Sequence, residues 1–91
     1  MSEGPAENQR RRLRFRSWHR GTREADLMLG RFADAHLALF SPDQLDRYAA
    51  LLEKSDPELY DWITDRAPVP PPFDTDVFRL LKNFEFHDTT S

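Results

Sequence analysis

Residues 23–40 read READLMLGRFADAHLALF, and this stretch decides the fold. Ala25, Met28, Leu29, Phe32, Ala35, His36 and Leu39 recur at the i, i+3, i+4 spacing that gathers side chains on one face of an α-helix. Leu27, Leu37 and Phe40 widen the stripe, which predicts a central helix buried on more than one side. The stop signal follows at once in Ser41-Pro42-Asp43-Gln44. Serine suits the N-cap, proline the first helical position, and glutamine three residues on completes a capping box. A further helix is therefore expected from Pro42 to about Lys54, burying Leu45, Tyr48, Ala49 and Leu52.

Working outward, the same grammar repeats. Asp56-Pro57-Glu58 opens a short helix to about Arg66, with Asp56 as N-cap and an apolar face of Leu59, Trp62 and Ile63. Pro68-Val69-Pro70-Pro71-Pro72 ends it as extended, polyproline-like chain. A PxxP spacing here fits an SH3-type ligand, but a stiff connector explains the same residues more simply. Asp74 or Thr75 then caps a helix carrying Val77, Phe78, Leu80 and Leu81, which frays near Asn83; Phe84 and Phe86 are candidates to fold back on the core. N-terminal to the central helix, Gln9 to Arg20 lacks Gly and Pro and is rich in arginine, a good helix former, so a first helix ends at the Gly21 corner. No alternating strand pattern or repeat occurs. The expectation is an all-α, small five-helix bundle over residues 9–84, with a disordered lead at 1–8 and a flexible tail at 85–91.

Bulk properties narrow the function. A chain of 91 residues forms one domain with a modest core and a net stability near the low end, about 5 kcal/mol. The absence of cysteine excludes disulfides and thiolate metal sites. No apolar run is long enough to span a bilayer. Glu3 and Glu7 interrupt the acid-free composition of a transit peptide, so a soluble cytoplasmic protein is expected. Charge is polarised: residues 1–24 hold seven arginines against three acids (net +4), and the rest hold six basic and thirteen acidic residues (net -7), giving -3 overall. One end thus meets an acidic partner or phosphate, or pairs within the chain.

A catalytic constellation is not found. His19, His36 and His87 lack metal-ligand spacing, and His36 on the apolar stripe reads as a hydrogen-bonded core or boundary histidine. Gly4, Gly21 and Gly30 are too scattered for a phosphate-cradling loop. Asp43 with Asp46, and Asp61 with Asp65, read as solvated faces. The run from Arg10 to Arg16, with Phe15 and Trp18, fits phosphate contacts and base stacking. The acidic remainder opposes a nucleic-acid footprint, and a basic helix facing an acidic protein surface accounts for the run better. Arg20-Gly21-Thr22-Arg23-Glu24 remains. Gly21 turns the corner and Thr22 and Glu24 favour the helix start, yet two arginines and a glutamate also form a polar patch suited to bidentate contacts.

Arg20-Gly21-x-x-Glu24 followed by Asp26-Leu27, then Ser41-Pro42, Leu51-Leu52-Glu53 and Asp56-Pro57-Glu58-Leu59-Tyr60-Asp61-Trp62, resembles the SdhE/Sdh5 family of flavinylation factors over about residues 10–84. The pentapeptide alone is unspecific; three motifs in this order at these spacings are not. The proline-rich segment at 68–72 and the tail depart from the family pattern. The resemblance implies a five-helix bundle that binds the flavoprotein subunit of succinate dehydrogenase, and in some bacteria of fumarate reductase. It further implies that the factor promotes covalent attachment of FAD to a histidine of that subunit. On this reading the chain is not an enzyme, holds no FAD stably, binds no nucleic acid, inserts in no membrane and is a monomer when free. Members occur in the bacterial cytoplasm and the mitochondrial matrix. The family motif carries over to Arg20, Gly21 and Glu24 as contact centre, with Arg23 in support and Arg16 and His19 at the rim. The competing readings are a small arginine-rich nucleic-acid-binding regulator and an antitoxin-like inhibitory binding protein.

Overall fold

The computed structural model describes residues 4–89, with side chains through Phe84. The central stripe forms α2, Arg23–His36, opened by the Thr22 hydroxyl, which accepts the Ala25 N–H at 3.2 Å. It buries Ala25, Leu29, Gly30, Phe32 and Ala33. Leu27 and Ala35 lie instead on the outward side, and Leu39 is 81% exposed. The cause is at the helix end. The chain tightens into a 3-10 turn, Leu37–Leu39, and leaves it extended at Phe40 (φ -78°, ψ 139°), which turns Leu37 and Phe40 inward and Leu39 out. Arg10 closes this end: Nε donates to the Leu37 carbonyl at 2.9 Å and Nη2 to the Phe40 carbonyl at 2.8 Å.

The first helix, α1, spans Pro5–Trp18, starting four residues before the expected Gln9. Pro5 takes an N-terminal position where its missing N–H costs nothing, and Glu7 faces the positive helix end. Residues 5–8, expected to be disordered, are therefore helical; Met1 to Glu3 fall outside the described residues. Helix α1 buries Leu13 and, unforeseen, Ser17. Ser17 Oγ donates to the Leu13 carbonyl at 2.7 Å and accepts from the Tyr48 hydroxyl at 2.6 Å, which satisfies both buried hydroxyls.

Helix α3, Pro42–Leu52, has the expected capping box: Ser41 Oγ accepts the Gln44 N–H at 3.2 Å, and Gln44 Oε1 the Ser41 N–H at 2.9 Å. Helix α4, Asp56–Ile63, is capped by Ser55, not Asp56, through a second capping box with Glu58. Asp56, one residue inside the helix, is left free to pair elsewhere. After α4, Asp65 adopts the left-handed conformation (φ 63°), which a short polar side chain tolerates. Pro70 is polyproline-like (φ -62°, ψ 145°), and Pro71–Phe73 form a 3-10 turn that sets Phe73 against Trp62, ring centroids 5.5 Å apart. The expected extended chain therefore ends at Pro70, with Pro71 and Pro72 taken into the turn. Helix α5, Asp76–Thr89, is capped by Thr75 Oγ1, which accepts the Phe78 N–H at 3.3 Å, and its backbone runs beyond the expected end near Asn83. Phe84 does fold back, edge-on to Phe32 at 5.6 Å; Phe86 lies outside the described side chains.

Five α-helices and no strand among the described residues make an all-α bundle. Phe32 sits at its centre, against Phe40, Tyr48 and His36. His36 is a half-buried boundary histidine: it stacks on Phe32 at 4.4 Å, with Nδ1 3.3 Å from the Phe32 carbonyl. The α1–α2 pairing places the Arg20 to Glu24 corner at one end of the bundle, beside the α3–α4 junction.

Candidate functional site

The corner is built around one carboxylate and one guanidinium. Asp26, in the first turn of α2, accepts the backbone N–H of Arg20 at 2.6 Å and of Gly21 at 3.3 Å, so the chain folds back onto the start of its own helix. Gly21 turns there with φ 117°, a region that side chains rarely enter. A Cβ at Gly21 meets nothing within 4 Å, so the constraint on this position is conformational and not steric.

Arg20 points inward. Its side chain is only 12% exposed. Nε donates to Asp56 Oδ1 at 2.8 Å, Nη1 to the Leu52 carbonyl at 2.6 Å, and Nη2 to the Lys54 carbonyl at 2.6 Å. One guanidinium therefore satisfies carbonyls left over at the end of α3 and pairs with the first residue of α4. The planar fork suits three acceptors in fixed directions, which an ammonium would not match.

Arg23 and Glu24 do the reverse. Both are exposed, and neither side chain bonds or ion-pairs with any described residue. His19 is exposed as well, stacked on Phe15 at 4.0 Å with Nδ1 2.7 Å from the Phe15 carbonyl. Arg16, one turn back on α1, pairs with Glu53 at 2.6 Å. Of the six expected site residues, His19, Gly21, Arg23 and Glu24 thus share an open rim around the start of α2. Arg20 is committed to the interior, and Arg16 faces the end of α3.

Two open grooves flank this rim. One, about 470 Å³, runs between α2 and α4, with Glu24 and Asp56 over a floor of Ala25, Met28, Pro57 and Tyr60. Its lining is mostly apolar, and Tyr60 is 51% exposed. The other, about 570 Å³, lies on the α1 side between His19, Trp18, Arg23, Asp26 and Leu27. Sequence reasoning placed Asp26 only in the family motif and gave Asp56 an N-cap role, and overlooked Met28 and Tyr60 as surface. Nothing local marks a pair 36 residues apart such as Arg20 with Asp56.

The charge polarity is largely consumed within the chain. Arg10, Arg14, Arg16 and Arg20 all reach acidic or carbonyl acceptors, with Arg14 3.5 Å from Asp34. Among the described residues no group of three or more histidines and acids is placed to hold a metal, and no helix is long and apolar enough to cross a membrane. The two clear pKa shifts lie elsewhere. Burial pushes the Tyr48 hydroxyl well above its usual value. The Gln44 side-chain hydrogen bond, aided by the Val77 N–H and by Arg47, holds the Asp76 carboxyl below its usual range.

Comparison with known proteins gives a consistent picture. The family described as flavinator of succinate dehydrogenase matches residues 11–85. Succinate dehydrogenase assembly factor 2-B, mitochondrial, of Drosophila melanogaster is 40% identical over 80 residues, covering 86% of this chain and 51% of the relative. Succinate dehydrogenase assembly factor 2, mitochondrial, of Dictyostelium discoideum is 38% identical over 77 residues, covering 85% of this chain and 55% of the relative. The chain spans about half the length of these curated relatives.

Proposed function

The chain belongs to the family of flavinators of succinate dehydrogenase, and from that premise we propose that it binds the flavoprotein subunit of that enzyme and promotes covalent attachment of FAD. The observation that carries this reading furthest is the rim at the start of α2. A glycine corner at positive φ, with an arginine and a glutamate that have no ion-pair partner among the described residues, stands between two open grooves. Such a surface suits docking, not bond-making.

The chemistry then belongs to the partner. FAD is carried by the flavoprotein, and the bond joins the flavin to one of that subunit's histidines. A docked protein changes this reaction only through differential affinity: it must bind the conformer that aligns histidine and flavin more tightly than the others. Alignment alone can lower such a barrier by about 7–11 kcal/mol in the best oriented cases. The contact surface consists of Gly21, Arg23 and Glu24, with His19 and Arg16 at its edge and Arg20 behind it. The chain works where the flavoprotein matures, in the bacterial cytoplasm or the mitochondrial matrix, and acts as a free monomer before docking.

The test is reconstitution. Purified apo-flavoprotein incubated with FAD should acquire in-gel flavin fluorescence much faster with this protein than without it, and should co-purify with it. Equal labelling in both lanes, with no co-purification, overturns the reading. Fumarate reductase flavoprotein in a parallel lane reports which partner is preferred.

A further inference from the structure

The groove between α2 and α4 has two walls with little direct contact between them. Both walls hang on residue 20. Through its backbone N–H, Arg20 is tied to Asp26 and so to the first turn of α2. Through its guanidinium it is tied to Leu52, Lys54 and Asp56, and so to the junction that launches α4. The donors that fix α4 are spent inside the molecule, leaving little of the side chain for an outside partner.

Charge says what the groove takes. Two carboxylates line it, but Asp56 is neutralised by Arg20 and Glu24 has no cation among the described residues. Below Glu24 lies the apolar floor of Ala25, Met28, Pro57 and Tyr60. A free carboxylate above an apolar trough is complementary to a cationic side chain beside an apolar one. We propose that Arg20 is a positioning residue that sets the two walls of this groove, and that the groove receives a flavoprotein segment presenting a lysine or arginine to Glu24 and an adjacent apolar side chain to Met28 and Tyr60. This rests on the docking function proposed above.

A double-mutant cycle on affinity for the purified flavoprotein subunit tests it. The variants are Arg20→Lys, Asp56→Asn and the pair, each measured at a temperature where circular dichroism shows it folded. Each single variant should weaken binding about tenfold, and the pair should be no weaker than either, because both break one clamp. Multiplying effects, about a hundredfold for the pair, mean that Arg20 contacts the partner independently and overturn the proposal. A purely stabilising role lowers the melting temperature of both singles but leaves the affinity of the folded protein unchanged, which also overturns it. Should Arg20→Lys not fold, Asp56→Asn decides alone: it removes the charge that ties the guanidinium to α4 while the Leu52 and Lys54 carbonyl bonds remain, so unchanged or tighter binding refutes the clamp. Glu24→Gln reads the cation separately. It should weaken binding and flatten its ionic-strength dependence, and an unaltered salt dependence overturns that half. Wild-type protein that binds no flavoprotein overturns the docking function itself, and this inference with it.

Discussion

Gly30 sits in the middle of α2, where glycine is a poor choice on helix propensity alone. Replacing it by alanine in an unobstructed helix stabilises by about 0.8–1 kcal/mol. Here the opposite sign is expected. A Cβ at position 30 falls 2.2, 2.4 and 2.5 Å from three atoms of the Trp18 indole, whereas carbon atoms settle at about 3.5–4.0 Å. The indole must retreat by more than an ångström, and it is held by its own packing on α2 and by Nε1–H donating to Asp34 at 3.3 Å. Overpacking of this kind costs about 1–3 kcal/mol. Set against the propensity gain, Gly30→Ala should destabilise by about 1 kcal/mol, a fall of roughly 4–8 °C in melting temperature for a chain of this size. The decisive control is Trp18→Ala. In that background the obstruction is gone, and Gly30→Ala should become stabilising by about the propensity difference. Thermal melts by far-UV circular dichroism, with urea titrations followed through Trp62, give all four corners of the cycle. A higher melting temperature for Gly30→Ala in the wild-type background would falsify the reading that the α1–α2 approach requires glycine.

Three further outcomes follow from the same geometry. Gly21→Arg forces a side chain to φ 117° at a conformational cost of about 1–3 kcal/mol, with open space for its Cβ, so it should remain helical by circular dichroism while losing the proposed promotion of FAD attachment. A folded Gly21→Arg variant that supports normal in-gel flavin fluorescence removes the corner from the interface. Glu24→Ala should change unfolding free energy by less than about 0.5 kcal/mol, since its side chain has no partner in the described structure, yet weaken flavoprotein binding; a stability loss with unchanged affinity points to a helix-start role instead. Stability should also fall above about pH 10, where an unfolded tyrosine ionises and the buried Tyr48 keeps its proton. The native state then binds more protons than the unfolded one, so unfolding free energy drops by up to about 1.4 kcal/mol per pH unit. Tyr48→Phe should lose about 1 kcal/mol at neutral pH with its hydrogen bond and show a flatter alkaline decline; urea titrations at pH 7 and pH 11 would reveal an equal slope if Tyr48 is not the source.

What was legible in the sequence, and what was not, divides by range. The proline-led starts of α3 and α4, the capping box at Ser41 and Gln44, and the inward set of Leu29, Phe32, Leu45, Tyr48 and Leu59 depend on residues within a turn of one another, and the chain states them locally; the third proline-led start, at Pro5, falls in the stretch expected to be a disordered lead. Errors of one or two residues arose where a local rule had two solutions: Ser55 and Asp56 can both cap α4, and the tertiary pairing decides, because Arg20 claims Asp56. Leu39 was misplaced because a period of 3.6 was carried into a turn that tightens to 3. The site was harder. Its candidate residues are a proposal from a motif, and whether each faces inward or outward is set by contacts more than thirty positions apart.

Arg20 and Glu24 look equivalent in the sequence, two charged residues of one exposed corner. In the fold one is a clamp and the other a free group. The same holds for the basic run, which reads as a surface for an acidic partner until Arg10 is seen closing the end of α2 and Arg20 the end of α3. Arginine is suited to both tasks for one reason, a planar fork of donors that matches either a carboxylate or a set of orphan carbonyls. Counting arginines therefore overstates the charge available to a partner. Arg23 and Glu24, one of each sign on successive residues, keep their charge without an ion-pair partner among the described residues, so in the docking proposed above the positions of opposite charges, more than net charge, would orient the partner.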